Sequence, residues 1–142
     1  MPPMNGIPFK EEKNMNYDPI TVAQEALKAA NAAGHEWMKN ASPKYRVFNA
    51  DLFTGEPKGE SIGEMLDLCG NAHLQFKDAR TADYKAFLKA GLVRRTGNKV
   101  VEIPHMWKRR QEHGLQMACI AAEVKVFHKY GITNIRIWDY ID

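Results

Sequence analysis

Cysteine is scarce in this chain, with two in 142 residues. Cys69 and Cys119 stand far apart with no C-x-x-C pair, which excludes a disulfide framework and leaves Cys69 with His73 as half a metal site at most. Both read as buried thiols, the usual setting of free cysteine. Long apolar runs are missing too: nothing approaches the roughly 18 residues of a membrane span, and the opening MPPMNGIPFKEEKNMN lacks the apolar stretch of a secretory signal. A soluble, cytoplasmic protein without membrane contact is therefore expected. The chain also lacks H-E-x-x-H, a nucleophile elbow, a Walker loop and G-x-G-x-x-G. No metal or cofactor is called for by the residues.

What is present fits one packed domain. The length is near that of a single domain, and 44% hydrophobic with 26% charged residues rules out the composition of a disordered chain. The net charge of +3 conceals an asymmetry: ten basic residues face three acidic ones between Lys77 and Arg110, for a local +7 against −4 elsewhere. A basic block in an otherwise acidic chain points to an anionic partner, either nucleic acid or an acidic protein surface.

Residues 1–17, with three prolines and no periodicity, read as a flexible arm ahead of a single domain over 18–142. Asp18-Pro19 predicts a helix start, running to about Asn40 with Ile20, Ala23, Leu27, Ala30 and Trp37 inward. YRVFNA after Ser42-Pro43 predicts a strand. Ser61-Ile62-Gly63-Glu64 fits a capping box and predicts a short helix to Cys69, stopped by Gly70. Ala72, Leu74 and Phe76 then alternate as a half-buried strand, and Thr81 caps a helix ending at Gly91. Leu92–Arg95 and Lys99–Ile103 flank Thr96-Gly97-Asn98 as a hairpin. A long helix is expected from about Met106 to Tyr130, closed by Gly131, before a last strand carrying Ile135 and Ile137. From Ala72 on, the order is strand, helix, strand, strand, helix, strand. The expected class is α/β (α+β), with a ferredoxin-like split βαβ core from about residue 72 and an added N-terminal helix, strand and short helix.

Two surfaces carry the functional expectation. Lys108, Arg109 and Arg110 fall in the first turns of the predicted long helix, where the macrodipole is already positive, so an anion is expected there, joined by Arg94 and Arg95 of the hairpin. The alternative is a solvated face neutralised by Glu112. On the predicted sheet, His73, Gln75, Lys77, Arg136, Trp138 and Tyr140 share the face away from the helices, where rings stack bases and cations follow phosphates. The competing reading has the N-terminal helix covering that face. As an enzyme, the chain offers His105 and His73 as weak catalytic candidates, with His35, Asp78 and His113 scattered elsewhere.

The stretches MLDLCGNAHLQF, RTADYKAFLKAGL and RRQEHGLQMACIAAEVKVFHKYGI give Glu64 to Ile132 a layout that resembles small uncharacterised accessory proteins of tailed bacteriophages. That resemblance implies a bacteriophage protein acting in the host cytoplasm, in host takeover or assembly, and assigns no catalytic residue. The expected function is a non-enzymatic nucleic-acid-binding module. The alternatives are a protein inhibitor of a host enzyme and a small hydrolase or nuclease centred on His105.

Overall fold

The computed structural model describes residues 16–51, 53–94 and 97–141, and describes no side chain at 46–48, 50, 62 or 64. Arg95, Thr96 and most of the expected arm lie outside the described residues. In chain order the elements are α1 (Pro19–Asn40), β1 (Tyr45–Ala50), β2 (Pro57–Met65), β3 (Gly70–Phe76), α2 (Ala82–Lys89), α3 (His113–Lys129) and β4 (Ile135–Ile141). This is a mixed α+β architecture with two antiparallel pairs, β1 with β2 and β3 with β4.

Local chemistry sets most element ends. The Asp18 carboxylate accepts from the Ile20 amide, while Pro19 has no N–H to leave unpaired. Thr81 caps α2 by accepting from the Tyr84 amide. Gly91 and Gly131, at φ +78° and +79°, take the left-handed turns that end α2 and α3.

Three expectations fail for identifiable reasons. The capping box at Ser61 does not open a helix, because 57–65 pairs with β1 as a strand and the Ser61 hydroxyl donates to the Gly63 carbonyl instead. A short helix holding Gly63 costs nucleation and propensity, whereas the hairpin satisfies a row of backbone groups at once. The long helix starts at His113, with Glu112 in extended geometry just before it, and not at Met106. The segment just ahead of it is held extended by a bridge from Glu112 to Cys69: the Gly70 amide donates to the Gln111 carbonyl, and the His113 amide donates to that of Leu68. Lys108, Arg109 and Arg110 therefore sit in the turn ahead of the helix. Finally, Tyr17 is no part of a free arm, since its ring packs on Phe87 and Tyr130 and its hydroxyl donates to Asp83.

The buried face of α1 is Val22, Ala23, Ala26, Ala30 and Gly34, leaving Ile20 exposed where it was expected inside. Small residues win this face because α1 lies closely against α3. The Trp107 ring occupies the space beside Gly34, where an added Cβ would meet it at 2.1 Å. Between the helices and the sheet, Phe76, Phe87 and Phe127 form the centre of the core, with ring centroids 5.5 and 5.3 Å apart. Cys119 is fully buried, while Cys69 is partly so.

β3 gains a second neighbour through a bridge from Gln75 to Val100, and Val101 bridges in turn to Val93. The paired segments thus lie side by side as 92–94, 99–102, β3 and β4, each antiparallel to the next.

Candidate functional site

β3 and β4 run in unbroken antiparallel register from Gly70 opposite Ile141 to Phe76 opposite Ile135. Strand alternation then sends Ala72, Leu74, Phe76 and Ile135 into the core and turns Asn71, His73, Gln75, Arg136, Trp138 and Tyr140 the other way. The register sets His73 opposite Trp138, and the two rings stack with centroids 5.6 Å apart and planes 15° from parallel. Tyr140 stands beside Trp138 at 5.3 Å. Arg136 donates to the Gln75 amide oxygen at 3.0 Å, and Gln75 donates to the Asn98 carbonyl at 2.7 Å, fixing the polar part of the face.

This face is open. Trp138 and Tyr140 remain 49% and 40% exposed, and α1, which was the candidate cover, packs on α3 instead. Water excluded from so much aromatic surface elsewhere in the fold meets it here, in a groove of about 580 Å³ lined by His73, Gln75, Arg94, Asn98, Val100, Trp138 and Tyr140. Lys77, expected on the same face, comes just after β3 ends and does not line the groove.

The basic residues do not gather into the single cleft expected of them. Arg94 donates to Glu102 at 2.8 Å and Lys108 to the same carboxylate at 3.4 Å, which brings both cations beside His73. Arg110 instead pairs with Glu112 at 2.7 Å, in a separate cleft next to Cys69. Arg109 is exposed, and Arg95 lies outside the described residues. The cations are thus largely held by the protein's own carboxylates, and the helix end proper begins three residues beyond Arg110.

Behind His73 the structure holds a polar cluster of which the sequence pattern singled out His105 alone. His105, Gln116 and Glu123 are buried, at 5%, 0% and 2% exposure. All three line one cavity of about 20 Å³, together with His73, Glu102 and Lys108. Each keeps one unpartnered atom: His105 Nδ1, Gln116 Oε1 and Glu123 Oε2. The Gln116 amide nitrogen is spent on the carbonyls of Trp107 and Arg110, at 2.7 and 3.0 Å, so its oxygen is the atom left over. Burial pushes the Glu123 carboxyl up to about 8, against a smaller opposing pull from Lys108. Burial, assisted by Lys108, pushes His105 down to about 4. At neutral pH both groups are therefore uncharged, the cheaper state for groups removed from water. His73 is lowered as well, first by burial and then by Arg94 and Lys108, with Glu102 acting against them.

The remaining histidine and acid candidates are accounted for individually. His35 packs edge-on to Trp107. Asp78 is bound by Arg80 and held down to about 2. His113 meets Asp139 at 2.8 Å, while its sequence neighbour Glu112 pairs with Arg110. Among the described residues no group of three or more His, Cys, Asp or Glu is placed to hold a metal ion, and no helix is long and apolar enough to cross a membrane.

One signal for the buried cluster did exist. Gln116 and Glu123 are seven residues apart, so they share the α3 stripe that also carries Leu115, Cys119, Ile120, Val126 and Phe127. Polar residues recurring in an apolar stripe mark either a flaw or a site. Comparison with protein-family models, with curated proteins and with solved structures finds no match to this chain.

Proposed function

We propose that the protein binds single-stranded nucleic acid across the outer face of β3 and β4. The observation that carries this reading is the run of His73, Trp138 and Tyr140 rings side by side on an open sheet, His73 stacked on the exposed Trp138 and Tyr140 tilted against it, flanked by Arg94 and Arg136. Bases stack on aromatic faces whatever their identity, while guanidinium groups follow the phosphates. A duplex presents few unstacked bases, so a single strand is the better fit. The reading takes the sheet as a split βαβ arrangement, for which the side-by-side order of 92–94, 99–102, β3 and β4 is support. It shifts the expected contact away from Arg109 and Arg110 and onto Arg94, Arg136 and the rings. The resemblance in layout adds a setting to the proposal, a small accessory role in a phage-infected cell.

The test is a fluorescence anisotropy titration of a labelled single-stranded DNA at several salt concentrations. Affinity should fall linearly on a log–log plot, since each neutralised phosphate releases counterions. Trp138→Ala should cost about 1–3 kcal/mol, the range for one base stack. Binding that ignores salt, or that survives removal of both Trp138 and Tyr140, refutes the reading.

A further inference from the structure

We infer that His73 and Glu102 form an acid–base pair that cleaves single-stranded RNA held in the groove, with Arg94 and Lys108 receiving the scissile phosphate. The inference rests on the groove being a single-strand site and adds a reaction to it.

Glu102 is the telling residue. A carboxylate set between two cations lowers their net attraction for phosphate, so its place here calls for a role besides affinity. Here the carboxylate accepts from Arg94 at 2.8 Å and from Lys108 at 3.4 Å, and both cations keep it ionised. It lines the small polar cavity together with His73, and His73 in turn lines the groove. Among the described residues the imidazole is therefore the ring that lines both the groove and the cavity holding the charged groups. Its stack on Trp138 fixes its plane, as a proton donor requires.

Among the described residues, the groove walls offer no serine, threonine or cysteine as a nucleophile. RNA needs none, since its own 2′-hydroxyl lies beside the phosphorus. Glu102 takes the 2′-hydroxyl proton as that oxygen bonds to phosphorus. The bond from phosphorus to the 5′ oxygen then breaks, and the His73 imidazolium gives its proton to the departing oxygen. The products are a 2′,3′-cyclic phosphate and a free 5′-hydroxyl, with every atom and proton accounted for. Arg94 and Lys108 stabilise the extra negative charge on the phosphorane. His105 is not the centre of this chemistry, being buried in the wall of the cavity and absent from the lining of the groove.

The groups that act on His73 are Arg94 from the 92–94 segment, Lys108 from the turn ahead of α3 and Glu102 from the 99–102 segment; His105, and Glu123 of α3, line the cavity behind it. Because burial and the two cations hold the imidazole below its ordinary 6.5, and the same cations hold Glu102 below 4.5, cleavage should peak on the acid side of neutrality.

The experiment compares one labelled sequence as RNA, as DNA and as 2′-O-methyl RNA, with chelator present. The RNA should be cut to cyclic-phosphate ends, while the other two are bound and left intact. Loss of either His73 or Glu102 should slow cutting by about 100-fold or more, the span of general acid–base catalysis. Glu102→Gln should at the same time tighten binding of the DNA, since the charge that repels phosphate is gone. It should also remove the acidic limb of the pH profile, which loss of a purely structural ion pair would not do. Arg110→Ala, outside the groove, should cut as the parent does and so exposes any contaminating nuclease. If the strands bind and the RNA stays whole, or if His73→Ala cuts as fast as the parent, the cleavage proposal fails while the binding reading stands. If no strand binds, both fail.

Discussion

Replacing Glu123 by glutamine should change how stability depends on pH, in a window that the buried cluster itself defines. In the folded protein Glu123 holds its proton up to about pH 8, whereas the unfolded chain gives it up near 4.5. Its contribution to stability is therefore complete below 4.5 and is lost as pH rises through 8. His105 works in the opposite sense. Its folded value of about 4 lies below the ordinary 6.5, so its contribution is complete above 6.5 and is lost as pH falls toward 4. Between 4.5 and 6.5 the two slopes cancel. From 6.5 to 8 only Glu123 is left, and at about 1.4 kcal/mol per pH unit the protein should lose about 2 kcal/mol across that span. Glu123→Gln keeps the shape and hydrogen-bonding capacity of the protonated acid but cannot ionise. Urea denaturation at closely spaced pH values should show the parent weakening from 6.5 to 8 and the variant holding level, with the variant rising more steeply than the parent from 4.5 to 6.5. Parallel curves for the two proteins between 6.5 and 8 would refute the assignment of Glu123 as a neutral buried acid.

Other consequences follow from the packing and the charge pairing. Gly34→Ala should lower stability by about 1–3 kcal/mol through overpacking, because the new methyl meets the Trp107 ring, and thermal melting will show whether it does. Thr81→Ala removes the α2 cap and should cost about 1 kcal/mol in the same assay. In the DNA titration, Arg94→Ala should reduce the salt slope by about one. Arg110→Ala, whose side chain belongs to Glu112, should leave that slope unchanged.

The features readable from the sequence are those decided by near neighbours. Asp18-Pro19, Thr81, Gly91 and Gly131 each act within a turn of chain, and each element end they set was expected close to where it lies. The outer face of β3 and β4 was legible for the same reason: strict alternation places His73, Trp138 and Tyr140 together once the two strands pair. Ser61 and Met106 mislead because partners distant in sequence decide those segments. Residues 57–65 answer to β1, and residues 111–113 answer to Leu68 and Gly70, and neither partnership leaves a mark in the local pattern.

The charge argument shows the same division at the level of function. Counting residues between Lys77 and Arg110 locates a basic block, but a count treats Arg94, Lys108 and Arg110 alike. The fold separates them, assigning two to Glu102 beside the stacked rings and one to Glu112 in another cleft. Field strength near a ligand depends on which cations share a surface and which carboxylates already hold them, and both are set by tertiary contacts. Glu102 adds a single charge to the tally, yet it gathers Arg94 and Lys108 next to His73 and converts a diffuse positive region into a defined site. Removing it should therefore do two things that no count of charges foresees: raise the net attraction for a phosphate chain, and loosen the arrangement that gives the attraction a direction.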